Sequence, residues 1–122
     1  MSAGNANRNN IRLSKQFLES ADAPKIEMFP GFWRQTLVYG PSLMLCLFTL
    51  RKGACLPERT HPHIQAGYLI SGGAELTVAG DVCVMRPGSS YMVASNQPHS
   101  ARAIEDSLVI DVFSPCREEY IP

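Results

Sequence analysis

The chain has no surplus of charge of either sign. Its 11 Lys and Arg residues balance 11 Asp and Glu residues, for a formal net charge of zero. Without a basic stripe or a run of like charges it has no electrostatic footprint for nucleic acid or an anionic membrane. Long apolar runs are missing too. The longest, Leu43 to Leu50, is far too short to cross a bilayer and is interrupted by Thr49. Residues 1–10 are polar and Asn-rich and hold no apolar signal core, which points to the cytoplasm. The four cysteines, Cys46, Cys55, Cys83 and Cys116, form no C-x-x-C pair. They read as free thiols, with Cys46 and Cys83 as small buried hydrophobes inside strand-like runs. Internal repeats are absent, and no convincing helical periodicity follows residue 22.

What remains is a chain of 122 residues, 45% of them hydrophobic, enough for one domain with a real core. Residues 1–10 carry few apolar side chains. Ile11 to Ala21 reads as a short helix or as a strand added to a partner's sheet. Asp22 to Pro30, with two prolines, reads as an extended linker. Short apolar runs then alternate with turn signals. The expected strands are Phe32 to Tyr39, Leu43 to Leu50, Ala66 to Ile70, Glu75 to Val78, Val82 to Met85, Tyr91 to Ala94 and Ser107 to Phe113. Leu43 to Leu50 is apolar on both faces, as a buried central strand would be. Seven or eight short strands with Gly- and Pro-rich turns predict an all-β sandwich or barrel over residues 23–122. Residues 1–22 form a flexible or swapped N-terminal segment.

All three histidines fall in two places: His61-Pro62-His63-Ile64-Gln65 and Pro98-His99. Imidazole nitrogens and a carboxamide oxygen can each give a lone pair to a metal. On a strand, His61, His63 and Gln65 share a parity with Arg59 and could converge on one point. Pro62 cannot donate to a ladder, which suits an edge or a rim. The competing reading is of surface or core histidines with no metal. On the last strand Asp111 and Phe113 share a parity with Val109. A carboxylate on so apolar a strand must face a polar cavity or pair with a cation, for which Arg117 is a candidate. Tyr68 and Tyr91 could offer hydroxyls to a cavity, or simply pack.

At these residues the chain resembles a cupin, the small RmlC-like double-stranded β-helix (jelly-roll) barrel. It is most similar to the pectin-degradation cupins that open the ring of unsaturated uronates. The likeness runs from about Ala23 to the C-terminus. It rests on residues 57–68, Arg86-Pro87-Gly88, residues 96–102, and the closing runs 105–107 and 111–118. The resemblance implies a divalent transition metal (nickel, zinc, iron or manganese) held by two nearby histidines, a glutamine and a distant histidine. Those positions here are Arg59, His61, Gln65 and His99, so arginine stands where the first ligand is expected. Arginine has no lone pair to give. Three outcomes stay open: Arg59 swings aside, His63 substitutes for it, or the guanidinium takes the ion's place and binds a carboxylate directly.

The resemblance further implies that Asp111 transfers a proton and that Arg117 assists with the substrate. Phe113, Arg59 and Tyr68 would then contact a small sugar acid. The implied activity converts a 4,5-unsaturated uronate to its linear keto form in a cytoplasmic homodimer. The alternative is a non-catalytic cupin that binds a small carboxylate through a degraded metal site.

Overall fold

The structure, a computed structural model, describes residues 10–122. It is built from ten strands and two single-turn 3-10 segments, with no α-helix among the described residues. The strands are β1 (Ile26–Phe29), β2 (Phe32–Gly40), β3 (Leu43–Leu50), β4 (Cys55–Arg59), β5 (Ile64–Ser71), β6 (Ala74–Val78), β7 (Asp81–Met85), β8 (Ser90–Val93), β9 (His99–Ala103) and β10 (Ser107–Ser114). They form a six-stranded sheet in the order β1-β2-β3-β10-β5-β8 and a four-stranded sheet in the order β4-β9-β6-β7. Every pairing is antiparallel. The pairing of β3 with the much later β10, and of β4 with β9, wraps the two sheets into a jelly roll.

Alternation explains the core. On β10, Ser107, Val109, Asp111 and Phe113 are buried, and the residues between them are half-buried on the outer face. Met44, Cys46, Phe48 and Leu50 do the same on β3. An edge-to-face column of rings runs through the interior. Phe32 meets Phe48 at 5.5 Å, Phe48 meets Phe113 at 6.4 Å, and Phe113 meets Tyr120 at 5.8 Å. Such pairs add about 0.5–1.5 kcal/mol each beyond the area they bury. The column ends beside His61, 6.0 Å from the Phe113 ring, so the core itself forms the floor of the histidine cluster.

Three strands appear that the pattern of residues does not announce. β1 lies within the stretch expected as a linker, and β4 carries Pro57. The third, β9, is built from His-Ser-Ala-Arg-Ala, small and polar for a strand. β1 and β4 are edge strands, where proline and irregular pairing are tolerated. Cys83 corrects its expectation. It is exposed, as are Val82 and Val84, because β7 is an edge strand that reaches the core only at Met85. All four cysteines are free, and Cys46 and Cys116 are buried.

Residues 11–19 form neither a helix nor a strand; only Ser20–Asp22 makes a 3-10 turn. The segment runs beside the end of β2, where Ser14 N donates to the Tyr39 carbonyl at 2.8 Å. Leu13 and Phe17 on it are 79% and 87% exposed, so neither is anchored in this chain's own core. The rest of the expectation for residues 1–22 falls on residues 1–9, outside the described part.

Candidate functional site

A cavity of about 60 Å³ opens between the two sheets. Its deep wall is apolar (Phe48, Leu69, Val109), and its polar end gathers Arg59, Gln65, Tyr91, His99, Asp111 and Arg117. These residues come from β4, β5, β8, β9, β10 and the segment after β10.

Strand register explains why these side chains meet. Asp111 lies opposite Gly67, and Gly67 lies opposite Tyr91, so the three form one row across β10, β5 and β8. Glycine in the middle leaves the row open. A Cβ at position 67 would run into Asp111 Oδ1 and the Tyr91 ring. Tyr91 therefore reaches across Gly67 and donates its hydroxyl to Asp111 Oδ1 at 2.6 Å. In the next row Phe113 faces Gln65. From there Gln65 Nε2 donates to Asp111 Oδ2 at 2.8 Å. Asp111 is 3% exposed. Burial pushes its pKa up from 3.8 to about 7, against the pull of the Tyr91 and Gln65 hydrogen bonds. Burial and the neighbouring Asp111 drive the Tyr91 phenol well above its usual range.

The histidines converge, but not by strand parity. Thr60 to His63 lie in the connection between β4 and β5, so the alternation expected for His61, His63 and Gln65 does not apply. His61 is instead placed by two contacts: Nδ1 lies 3.0 Å from the His63 carbonyl, and Nε2 lies 3.0 Å from Gln65 Oε1. The His99 ring sits 4.8 Å from the His61 ring, with Nδ1 3.0 Å from the Gln97 carbonyl. Each ring thus has Nδ1 beside a backbone carbonyl, and with the proton on Nδ1 its Nε2 is the nitrogen left to accept, the tautomer a metal ligand needs. The His63 ring is 5.7 Å from His61, and its Nδ1 is buried with no hydrogen-bond partner among the described residues.

His61 carries a mismatch that bears on a metal. A neutral imidazole has one N–H, yet both ring nitrogens face oxygen acceptors at 3.0 Å. A second proton would resolve this. However, burial first, then the positive charge of Arg117, lower the His61 pKa from 6.5 to about 4. A metal ion resolves it without a proton. Among the described residues no three His, Cys, Asp or Glu side chains gather closely enough to hold an ion. The nitrogen and oxygen donors that do face one another are His61 Nε2 and Gln65 Oε1, with the His99 ring beside them.

Arg59 stands beside this set. It pairs in register with His99 and lines the cavity. The His99 pKa is lowered mainly by burial and further by the charges of Arg59 and Arg117. Arg117 is 5% exposed, and its Nε donates to Glu119 Oε1 at 3.2 Å. The ion pair conceivable between Arg117 and Asp111 does not form; Glu119 is the partner. The Arg117 guanidinium lies over the Tyr120 ring at 4.1 Å, and Arg34 lies over the same ring at 4.3 Å.

Tyr68 is not brought to the site. It is 47% exposed on the outer face of β5, because Gln65, Gly67 and Leu69 take the inner face. Of the two tyrosines expected to offer a hydroxyl, Tyr91 is the one that reaches the cavity. Arg34 and Tyr120 join the site without a matching expectation. Arg34 was detectable: it shares a parity with Phe32 and Thr36 on β2, the same charge-in-an-apolar-row signal that marks Asp111.

Known proteins share this architecture. Residues 46–113 match the family model described as Cupin domain. The pectin degradation protein KdgF of Dickeya dadantii (strain 3937) is 27% identical over 109 residues, covering 88% of this chain and 99% of that protein. Among solved structures, an RmlC-like cupin from Shewanella frigidimarina NCIMB 400 superposes with a TM-score of 0.86 at 28% identity, covering 90% of this chain and 99% of that one. KdgF from Halomonas sp. superposes with a TM-score of 0.83 at 30% identity, covering 88% and 100%. With its two antiparallel sheets wrapped as a jelly roll and the family match spanning most of the barrel, the chain belongs to the cupins.

Proposed function

We propose that the protein opens the ring of a 4,5-unsaturated uronate, giving the linear keto acid, with a divalent metal held by His61, Gln65 and His99. The observation that carries this reading is Asp111. It is a carboxylate buried in the cavity wall, held between Tyr91 and Gln65, and its burial raises its pKa toward neutrality. The likeness to the pectin degradation protein KdgF supports a pectin-derived sugar as the substrate class. The all-nitrogen-and-oxygen donor set suits nickel, zinc, iron or manganese.

The chemistry needs few groups. The anomeric hydroxyl loses its proton, the bond from C1 to the ring oxygen breaks, and the released enol takes a proton at C4. One proton has moved from oxygen to carbon, and no atom is gained or lost. A bound metal would act as a Lewis acid on a substrate oxygen. Asp111 carries the proton, and Tyr91 and Gln65 fix the direction of its oxygens. Arg117, with Arg59 on the opposite sheet, grips the uronate carboxylate by paired hydrogen bonds. Phe113 gives the floor on which a sugar face rests. The apolar deep wall keeps water from the enol.

The reading places the protein in the cytoplasm, where Cys55 and Cys83 stay reduced, and among the described residues no helix is long and apolar enough to cross a membrane. It also makes the protein a homodimer. The outer face of the six-stranded sheet leaves Ile64, Tyr68, Ile70 and Met92 more than 40% exposed, a patch that a second copy would cover.

The test is to supply a 4,5-unsaturated uronate to the metal-loaded protein and follow loss of its conjugated ultraviolet absorbance, with the linear product identified by NMR. Turnover that chelator removes and metal restores supports the reading. A second reading rests on Arg59, whose positive charge beside His99 opposes a divalent ion. In that reading the protein binds a small carboxylate stoichiometrically, takes up no metal and turns nothing over.

A further inference from the structure

Gln65 touches both halves of the site. A carboxamide has one accepting end and one donating end, so its direction matters. Two contacts settle that direction. Nε2 lies 2.8 Å from Asp111 Oδ2, and an ionised carboxylate only accepts. The other oxygen of Asp111 accepts from Tyr91. With Nε2 committed to Asp111, Oε1 is turned to His61 Nε2, 3.0 Å away. With the His61 proton on Nδ1, facing the His63 carbonyl, Nε2 and Oε1 meet as two acceptors. Turned over, the amide would donate Nε2–H to His61 and cap its lone pair. It would then present no carbonyl to an ion. The hydrogen bond to Asp111 therefore holds Gln65 in the one direction that serves a metal.

We infer that Asp111 is a positioning residue for metal binding: by accepting from Gln65 Nε2 it fixes Gln65 Oε1 and His61 Nε2 as a converging pair of donors. This rests on the metal reading above and adds a second duty to the residue assigned the proton transfer. Tyr91 belongs to the same device, since its hydroxyl pins the Asp111 carboxylate from the other side, in the space that Gly67 leaves open.

The test is a double-mutant cycle on the full-length, metal-stripped chain, titrated calorimetrically with Zn(II), Ni(II) and Mn(II). Asp111→Leu replaces the buried acceptor with an apolar side chain of similar bulk and frees Gln65 to turn over. Metal affinity falls by roughly 10–100-fold, the usual effect of losing a partner that orients a ligand. Gln65→Glu has no donating end and needs no orientation. In that background the Asp111→Leu change costs no more than about twofold, or improves binding by removing a facing carboxylate. A purely structural role for Asp111 would lower metal affinity equally in both backgrounds, and that result overturns the inference. So does an Asp111→Leu protein that binds metal as tightly as the parent. A parent chain that takes up none of the three metals overturns the metal reading itself, and this inference with it.

Discussion

Replacing Asp111 by Asn should change how stability depends on pH, in a direction set by its burial. The folded-state pKa of about 7 lies above the ordinary 3.8. The folded chain therefore holds a proton on Asp111 over a range where the unfolded chain has released it. Its contribution to stability is full below about pH 4, falls as the pH rises, and is lost once the pH passes 7. The span of roughly three pH units corresponds to at most about 4 kcal/mol. His61 works the other way. Its folded-state pKa of about 4 lies below 6.5, so its contribution is present above 6.5 and lost as the pH falls toward 4. In the parent the two slopes oppose each other. In Asp111→Asn only the histidine slope remains, so stability rises with pH between 4 and 7. Urea unfolding of both proteins in chelator, at pH 4.5, 6 and 8, measures the difference. The variant should gain on the parent by up to about 4 kcal/mol across that range. Parallel curves for the two proteins would show that Asp111 ionises in the fold as it does in water, and its role as a proton carrier near neutrality would fall with that.

Four other outcomes are expected. His99→Ala should cut bound metal, measured by plasma mass spectrometry, from about one ion per chain to near none after dialysis, because only His61 and Gln65 remain as donors. Arg117→Lys should raise KM for the uronate roughly tenfold or more with little change in melting temperature, since an ammonium loses the bidentate grip and the flat stacking on Tyr120. Gly67→Ala should destabilise the protein by about 1–3 kcal/mol in urea unfolding, as an added methyl must displace Tyr91 or Asp111; the same protein should lose turnover. For assembly, sedimentation should give a dimer whose dissociation constant rises when Tyr68, on the outer face, is changed to Glu.

Much of the barrel was readable because alternation is a local property. Leu43 to Leu50 and Ser107 to Phe113 emerge as β3 and β10 with bounds that match or nearly match, and Asp111 stands out as a charge in an apolar row. β1 was hidden by the prolines on either side of it, and β9 beyond His99 by its small polar residues, which become a strand through pairing with β4 and β6. The site divides the same way. His61, Gln65, His99, Asp111 and Arg117 do meet, but the imidazole of His61 is aimed by the His63 carbonyl in a loop, which no spacing rule encodes. The misplacement of Tyr68 was avoidable. If Gln65 points inward, Gly67 and Leu69 follow it and Tyr68 must face out; the inward hydroxyl then has to come from a neighbouring strand, where Tyr91 stands opposite the glycine.

The wall made by Arg117 and Tyr120 has a consequence in time. Thr36 Oγ1 donates to the Tyr120 carbonyl at 2.6 Å across 84 residues of chain, a buried contact that ties β2 to the final 3-10 turn. Through synthesis, β2 and β3 leave the ribosome long before the residues that complete their inner face. The nascent chain therefore carries Cys46 and Phe48 uncovered until β10 and Tyr120 arrive. The cavity is walled only once Tyr120 has been made and has closed over β2.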